Sequence, residues 1–440
     1  MKVLKFGGTS VGSIANIQKV KEIIHDGEPK IVVLSAMSGS TNKLVELSQL
    51  IKSNQIEDSQ AIINQLEQKY LAAVSGLIES EERKETLKKY IFALSEQLQS
   101  FVDNQTSNYN EIVAQGELFS TYLVNQFLQE QGVASELIPA LDFMRVDKEG
   151  EPDYFYIQQS LNRILKDTPN QEIYVTQGFI CLNNEGNISN LKRGGSDYTA
   201  SIIGAAIRAE EVQIWTDIDG FHNNDPRVVD NTRSIAQLSF DEAAELAYFG
   251  AKILHPQTVL PVRNLEIPVR LKNTNLPEAE GTLISNRITG EGIKAIAAKD
   301  GITAIKIKSE RMLLAHGFLK KIFEIFEKYE TAIDMITTSE IAVSLTIDDN
   351  TYLTEITSEL LKFAQVEVEE NRSIVCLVGN NIIYHKTTPQ IFQILQNVNV
   401  RMVAYGGSNN NISLLVNAED KEHTLRSLNH YAFNPNPTLV

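Results

Sequence analysis

The strongest constraint on the fold is an alternation of two periods: from Met1 to about Asn275, short β-branched runs recur between longer stretches whose apolar residues return every three or four positions. Such runs predict buried strands of a largely parallel sheet, and the longer periods predict the helices that cross over between them. VLKF (3–6) reads as the first strand, with Ile14, Ile17, Val20 and Ile24 at helical spacing behind it, and IVVLSA (31–36) as the second. EIYVTQGFI (172–180) and EVQIWTD (211–217) return as strands, each expected to lead into a helix, and PVRLKN (268–273) is expected to be the last strand of this part. Between Gly39 and Gly116 stands one glycine, Gly76, and no proline, while Leu44, Leu47 and Ile51, then Ile63, Leu66, Tyr70 and Val74, keep a helical period. That stretch predicts a helical insertion in a three-layer αβα sandwich.

Pro277, Gly281, Gly290 and Gly292 punctuate the chain before the pattern changes. Beyond them, ITAIKIKS (302–309), a helix from about Gly317 to Tyr329, AIDMITTS (332–339), IAVSLTID (341–348), a helix over Leu353 to Phe363 and VEVEE (366–370) give the order βαββαβ. SIVCLVG (373–379), a helix over Pro389 to Gln396, NVRMVAYG (399–406), NISLLVN (411–417) and a helix over Asp420 to Leu428 repeat it one strand short. IKAIAAK (293–299) is the expected donor of the missing strand. The expected domains are therefore 1–285, then 302–370, then 292–301 together with 371–440. Paired modules of this kind more often sense ligands than carry a second active site.

Composition removes several functions. Forty Lys and Arg stand against 56 Asp and Glu, a net charge of −16, and the basic residues form no cluster, so nucleic acid is not an expected partner. Cys181 and Cys376 are far apart and suggest neither a disulfide framework nor a thiolate cage. The opening MKVLKFGG lacks the apolar core of a secretory signal, and no run approaches the ~20 apolar residues of a membrane span, so a cytoplasmic location and no membrane partner are expected. The seven histidines show no metal spacing, and His255 beside Pro256 reads as structural. TGEGIKA, with Gly290 and Gly292, precedes a strand rather than a helix and so lacks the context of a dinucleotide fingerprint.

Four segments can carry chemistry. KFGGTS (5–10) closes the first strand; its paired glycines let backbone N–H groups approach an anion, with the next helix N-terminus adding positive potential. It is no Walker A loop, and a plain turn in which Gly7 and Gly8 supply positive φ is the alternative, against which Lys5 weighs. RGGSDYTA (193–200) offers Arg193 for a carboxylate and Asp197 for a lysine or a metal ion, although, taken by itself, a helix capped by Ser196 or Asp197 is the better account of it. WTDIDGFHNNDPRVV (215–229) follows a strand end, where α/β sheets bind ligands; Asp217 and Arg227 suit ribose, metal or phosphate, and Asp225-Pro226 suits an ordinary turn. FGAKILHP (249–256) holds Lys252, alone a solvated lysine, and Glu117 after Gly116 reads as an acid in a helix's first turn.

Taken together, KFGGTS, SAMSGSTNKL, the Gly-Glu step at 116, TQGFI, RGGSDYTA, IWTDIDGFHNNDPR, FGAKILHP and DMITTSE occur in the order found in aspartate kinases, and the chain resembles a monofunctional, lysine-sensitive member of that family over nearly its whole length. The resemblance implies an amino-acid-kinase domain followed by paired ferredoxin-like ACT domains. It implies transfer of the γ-phosphoryl of ATP, with Mg²⁺, to the side-chain carboxylate of L-aspartate, the first step toward lysine, threonine and methionine. By the same likeness Lys5 and Asp197 are catalytic. Thr41, Glu117, Phe179, Arg193 and Ser196 form the aspartate pocket; Lys5, Gly7, Gly8, Thr216, Asp217, His222, Arg227 and Lys252 contact the nucleotide. Met312, Gly317, Phe318, Leu319, Asp334, Ser339 and Glu340 match a lysine-effector site, and a homodimer or larger homo-oligomer formed through the ACT domains is implied. No dedicated metal-ligand residues follow. Three positions depart from the family pattern: His222 for a tyrosine, Lys192 for a glycine, and Leu314-Ala315 for a His-Ser pair.

These residue types suit the reaction. An aspartate side chain, with a pKa of about 3.9, is already ionised at neutral pH and needs no general base. It needs charge neutralisation at the phosphates, which Lys5, Lys252, backbone N–H groups and Mg²⁺ can supply, and opposite charges at its α-carboxylate and α-ammonium, which Arg193 and Glu117 can supply. A kinase for glutamate and a catalytically silent amino-acid sensor are the rival readings.

Overall fold

The computed structural model describes residues 1–106, 108–191, 194–250, 254–309, 316–386 and 388–433. The chain forms two compact units, residues 1–221 with 254–286, and residues 222–253 with the chain from 287 onward. Residues 222–253, placed by sequence with the first domain, thus cluster with the second unit.

In the first unit the order is β1 (Lys2–Phe6), α1 (Ile14–Ile24), β2 (Lys30–Leu34), α2 (Ser40–Lys52), α3 (Ile56–Leu77), α4 (Glu81–Asp103), α5 (Tyr109–Glu130), β3 (Ser135–Leu137), α6 (Tyr154–Asp167), β4 (Ile173–Gln177), β5 (Ile180–Leu182), β6 (Ile188–Asn190), α7 (Gly195–Ile207) and β7 (Val212–Thr216). After β8 (Gln237–Ser239) and α8 (Phe240–Tyr248) of the second unit, α9 (Leu260–Arg263), β9 (Val269–Asn273) and β10 (Thr282–Ser285) complete it. Its strands lie in the order β3-β4-β2-β1-β7-β9-β10. All pair in parallel except β9 with β10. Every residue of β2 is buried, as expected of a parallel strand covered on both faces.

Three details differ from expectation. PVRLKN is not the last strand, because Gly281, at φ +70°, turns the chain back into β10; a Cβ there would meet the Leu271 carbonyl oxygen at 1.8 Å. EIYVTQGFI breaks after Gln177, and Ile180 opens a separate ribbon with β6, because Phe179 takes the left-handed conformation, φ +71°. Neither it nor EVQIWTD leads straight into a helix. The insertion is helical as expected: Leu44, Leu47, Leu66, Tyr70, Leu87, Ile91 and Phe119 from α2 to α5 share one core, and Tyr70 stacks on Phe119 at 4.0 Å. Each such apolar side chain contributes roughly 1.5–3 kcal/mol by burial.

The second unit continues with β11 (Gly292–Lys308), α10 (Phe318–Lys328), β12 (Ile336–Thr338), β13 (Ala342–Ile347), α11 (Leu353–Leu360), β14 (Gln365–Asn380), α12 (Thr388–Ile394), β15 (Met402–Tyr405), β16 (Asn411–Asn417) and α13 (Lys421–Phe433). Its six-stranded sheet runs β12-β13-β11-β14-β16-β15, with the sequence-assigned strand pairs fused into two long ones. IKAIAAK and ITAIKIKS are both β11, and VEVEE and SIVCLVG are both β14. The Asp300-Gly301 and Asn371 signals are irregularities within this antiparallel pair, with positive φ at Gly301 and Asn371, and not chain reversals. Separate cores around Ile305, Ile322 and Leu345, and around Val375, Leu414 and Leu425, preserve the two modules. Within this unit α8 is tied on by a capping box of Ser239 and Glu242 and by Lys294 bonding Glu242 at 2.8 Å. Among the described residues no helix is long and apolar enough to cross a membrane.

Candidate active site

Lys5 lies on β1 one residue before the glycine pair, and its Nζ sits 2.6 Å from Asp197 Oδ1, with side chains 13% and 17% exposed. Neither Gly7 nor Gly8 has positive φ, which removes the plain-turn explanation. Proximity restricts Gly8, where a Cβ would stand 3.0 Å from the Ala36 carbonyl oxygen; one on Gly7 would stand 3.4 Å from Lys5 Nζ, an ordinary contact. α1 begins at Ile14, the first of the residues read at helical spacing; residues 8–11 form turns before it and Ser13 is its cap, accepting from the Asn16 N–H.

The second glycine turn faces the first. Gly194, at φ +63°, is the N-cap of α7, so Ser196 and Asp197 lie inside the first helical turn and neither caps the helix. Ser35 Oγ donates to Ser196 Oγ at 2.9 Å, joining the end of β2 to α7. Gly178 packs so closely on Ser196 that a Cβ would clash at 2.3 Å, and the N–H of strained Phe179 donates to Thr199 Oγ1 at 2.9 Å. A non-glycine residue held at positive φ marks a place where the surroundings over-determine the backbone.

Glu117 corrects the sequence reading most. It lies in the middle of α5, 3% exposed, rather than in a first turn. Gly116 is tolerated there because a Cβ would meet Ala36 Cβ at 2.8 Å. Ala36 N–H donates to Glu117 Oε1 at 3.3 Å, and Oε2 is buried without a hydrogen-bond partner. Burial pushes the Glu117 carboxyl up to about 7. Gly8, Thr41, Glu117, Phe179 and Ser196 line one pocket of about 410 Å³. Ser35, Met37, Ser38 and Asn42 line it as well. They belong to the SAMSGSTNKL motif, which was the available signal, but were not singled out.

Thr216 ends β7, and its Oγ1 donates to Asp217 Oδ1 at 3.1 Å. His222 and Arg227 lie in the second unit. His222 Nδ1 is 3.3 Å from Thr232 Oγ1. Arg227, 86% exposed, makes a two-point pair with Asp225, while its N–H donates to Asp225 Oδ1 at 2.9 Å, the turn chemistry weighed from sequence. Arg193, Lys252, Met312, Lys192 and the Leu314-Ala315 pair lie outside the described residues. Among the described residues no three His, Cys, Asp or Glu side chains converge as a metal cage.

In the second unit Gly317 caps α10, Leu319 is exposed, and Phe318 turns into the module core against Phe363, leaving only its backbone for a ligand. Ser339 and Glu340 form the exposed β12–β13 turn, where Ser339 Oγ accepts the Ala342 N–H at 3.2 Å. Asp334, its side chain fully buried, is held by Lys299 Nζ at 2.8 Å and by the Tyr248 hydroxyl at 2.7 Å. Lys299 also bonds Asp348 at 2.8 Å, and its ammonium lies 4.4 Å from the Tyr248 ring centre.

Comparison with known proteins agrees with this arrangement. The amino acid kinase family model matches residues 1–273 and an ACT domain model matches residues 375–432. Lysine-sensitive aspartokinase 3 of Escherichia coli is 35% identical over 445 residues, covering 98% of this chain and 99% of that one. Chloroplastic aspartokinase 2 of Arabidopsis thaliana is 33% identical, covering 99% and 85%. Among solved structures, E. coli aspartokinase III in complex with aspartate and ADP (R-state) superposes with a TM-score of 0.84 at 33% identity, covering 99% of this chain and all of that one. The same enzyme with lysine and aspartate (T-state) gives the same TM-score. With the amino acid kinase model matching residues 1–273 and a relative 35% identical along nearly the full length of both chains, the chain belongs to the aspartokinase family.

Proposed function

We propose that this chain transfers the γ-phosphoryl group of ATP to the side-chain carboxylate of L-aspartate, giving 4-phospho-L-aspartate. The observation that carries the reading is the Lys5–Asp197 pair set against a glycine turn that opens onto a pocket with one buried carboxylate whose Oε2 has no hydrogen-bond partner among the described residues. The Lys5 ammonium, oriented by Asp197 and adjacent to Gly7, is placed to stabilise charge developing between the β- and γ-phosphates. The backbone N–H groups of the Gly7-Gly8 turn and of the start of α7 add dipoles of the same sign. Lys252 and Arg227 are assigned to the nucleotide with Thr216, Asp217 and His222; for Arg227 this requires leaving Asp225.

On the acceptor side, the side-chain carboxylate attacks already ionised. Glu117 Oε2, without a hydrogen-bond partner among the described residues, is matched to the α-ammonium, and Arg193 is assigned to the α-carboxylate. Thr41, Ser196 and Phe179 close the pocket around the chain between them. Mg²⁺ fits this donor set as an ion carried by the phosphates, since magnesium usually takes one or two carboxylates with phosphate oxygens; Asp217, exposed just after β7, is a carboxylate that would share it. When bound it neutralises phosphate charge.

The paired modules fit inhibition by free lysine through Gly317, Phe318, Leu319, Asp334, Ser339, Glu340 and Met312, in a homodimer or larger assembly joined through these modules. A cytoplasmic location accords with the absence of a spanning helix among the described residues. The test is ADP release with ATP and Mg²⁺ in the presence of aspartate, glutamate or neither. Release with aspartate alone supports the reading. Preference for glutamate favours the rival kinase, and the absence of ADP release in all three arms favours a silent sensor.

A further inference from the structure

The helical insertion brings to the acceptor pocket a cation that the mechanism above leaves unused. Lys69, on α3, donates from Nζ to the Ser38 carbonyl oxygen at 2.5 Å and to Ser40 Oγ at 2.9 Å. Both acceptors are neutral. Among the described residues no carboxylate lies within ion-pairing distance of it; the one charge that acts on it is another ammonium, Lys43, and burial together with that neighbour holds Lys69 below its ordinary pKa. Lys43 itself is bonded to neutral Gln65.

The segment that Lys69 grips is a wall of the site. Ser38, Gly39, Thr41 and Asn42 all line the 410 Å³ pocket. Gly39, at φ +78°, is the N-cap of α2 and offers no side chain to fix the turn. The Lys69 ammonium bridges the residues on either side of it, Ser38 and Ser40, and so ties this turn to α3 through donated hydrogen bonds. In a chain of net charge −16, two cations with neutral partners beside one pocket form a local positive field, which attracts an anionic ligand and is screened by salt.

We propose that Lys69 is a positioning and specificity residue for the acceptor: it fixes the 38–40 turn and supplies an uncompensated positive charge that favours a dicarboxylic amino acid. This rests on the assignment of the pocket to aspartate. A glutamine can also hold the turn, but it carries no charge, and that difference separates the proposal from a purely structural role.

The experiment is steady-state kinetics of Lys69→Met, Lys69→Gln and Lys69→Arg, varying aspartate and ATP separately, with thermal melts alongside. KM for aspartate is expected to rise about tenfold in Lys69→Gln, which keeps the turn and loses the charge, and at least as much in Lys69→Met, which loses both, with kcat and KM for ATP nearly unchanged. Lys69→Arg, which keeps the charge, returns most of the affinity, and raising salt from about 0.05 to 0.3 M weakens aspartate binding more in the wild type than in Lys69→Gln. A Lys69→Gln enzyme with wild-type KM and wild-type salt dependence overturns the proposal, as does a lowered melting temperature with no change in KM. Should Lys69→Met not fold, the Gln and Arg pair still decides. If the wild type itself releases no ADP with aspartate, the assignment of function fails, which is a different result.

Discussion

Glu117 makes the acceptor site sensitive to pH, and the size of the effect follows from its burial. Its carboxyl ionises at about 7 in the ligand-free protein, against an ordinary 4.5, because α5 buries it and Oε2 has no donor. To hold an ammonium it must be ionised, so only the ionised fraction is competent: about nine-tenths at pH 8, half at pH 7 and one-tenth at pH 6. Apparent affinity scales with that fraction, so kcat/KM for aspartate should fall about tenfold from pH 8 to pH 6. Saturating aspartate should restore kcat, since the bound ammonium favours the ionised carboxylate. The same shift has a stability consequence of opposite sense. A carboxyl raised in the folded state contributes its stability fully below pH 4.5 and loses it as pH rises through 7, which leaves the ligand-free protein about 3 kcal/mol short at pH 8. Glu117→Gln should therefore melt higher than the wild type at pH 8, bind aspartate poorly at both pH values and show a flat KM profile. The assay is coupled ADP release at pH 6, 7 and 8 with melts at pH 5 and 8. Equal KM values at pH 6 and 8, or a Gln variant with ordinary affinity, refute the reasoning.

Two further outcomes concern the second unit. Lys299→Met leaves Asp334 buried without its cation and should cost about 3–5 kcal/mol by denaturant unfolding, with much of the loss recovered in the double variant that also carries Asp334→Asn; no loss would show the pair to be dispensable. Millimolar lysine should inhibit ADP release, and Asp334→Asn should weaken that inhibition while leaving uninhibited turnover intact; no inhibition of the wild type, with or without threonine, removes lysine as effector.

How far the sequence was legible differed between site and scaffold for physical reasons. KFGG and RGGSD were readable because paired glycines beside Lys and Asp are rare outside anion sites, and the 2.6 Å Lys5–Asp197 pair joins the two motifs. Glu117 was misplaced because a glycine before it looks like a helix start; only the close approach of Ala36 explains a glycine inside α5. Lys69 gave no signal at all, since a lysine on a polar helix face is ordinarily solvated. The splitting of EIYVTQGFI depends on the left-handed Phe179, which no local pattern announces. In the second unit the repeat was visible while the fusion of its strands was not. Asp300-Gly301 and Asn371 carry turn chemistry in either case, and only pairing along the whole of β11 and β14 makes them bulges.

The most direct test of the central claim is the turnover of Lys5→Ala with saturating ATP, Mg²⁺ and aspartate. The account predicts a protein that still folds, destabilised by up to about 3–5 kcal/mol because Asp197 loses its cation, and a kcat lower by about two to three orders of magnitude, the usual effect of removing a preorganised donor from developing charge. A folded Lys5→Ala enzyme that turns over at close to the wild-type rate would contradict it.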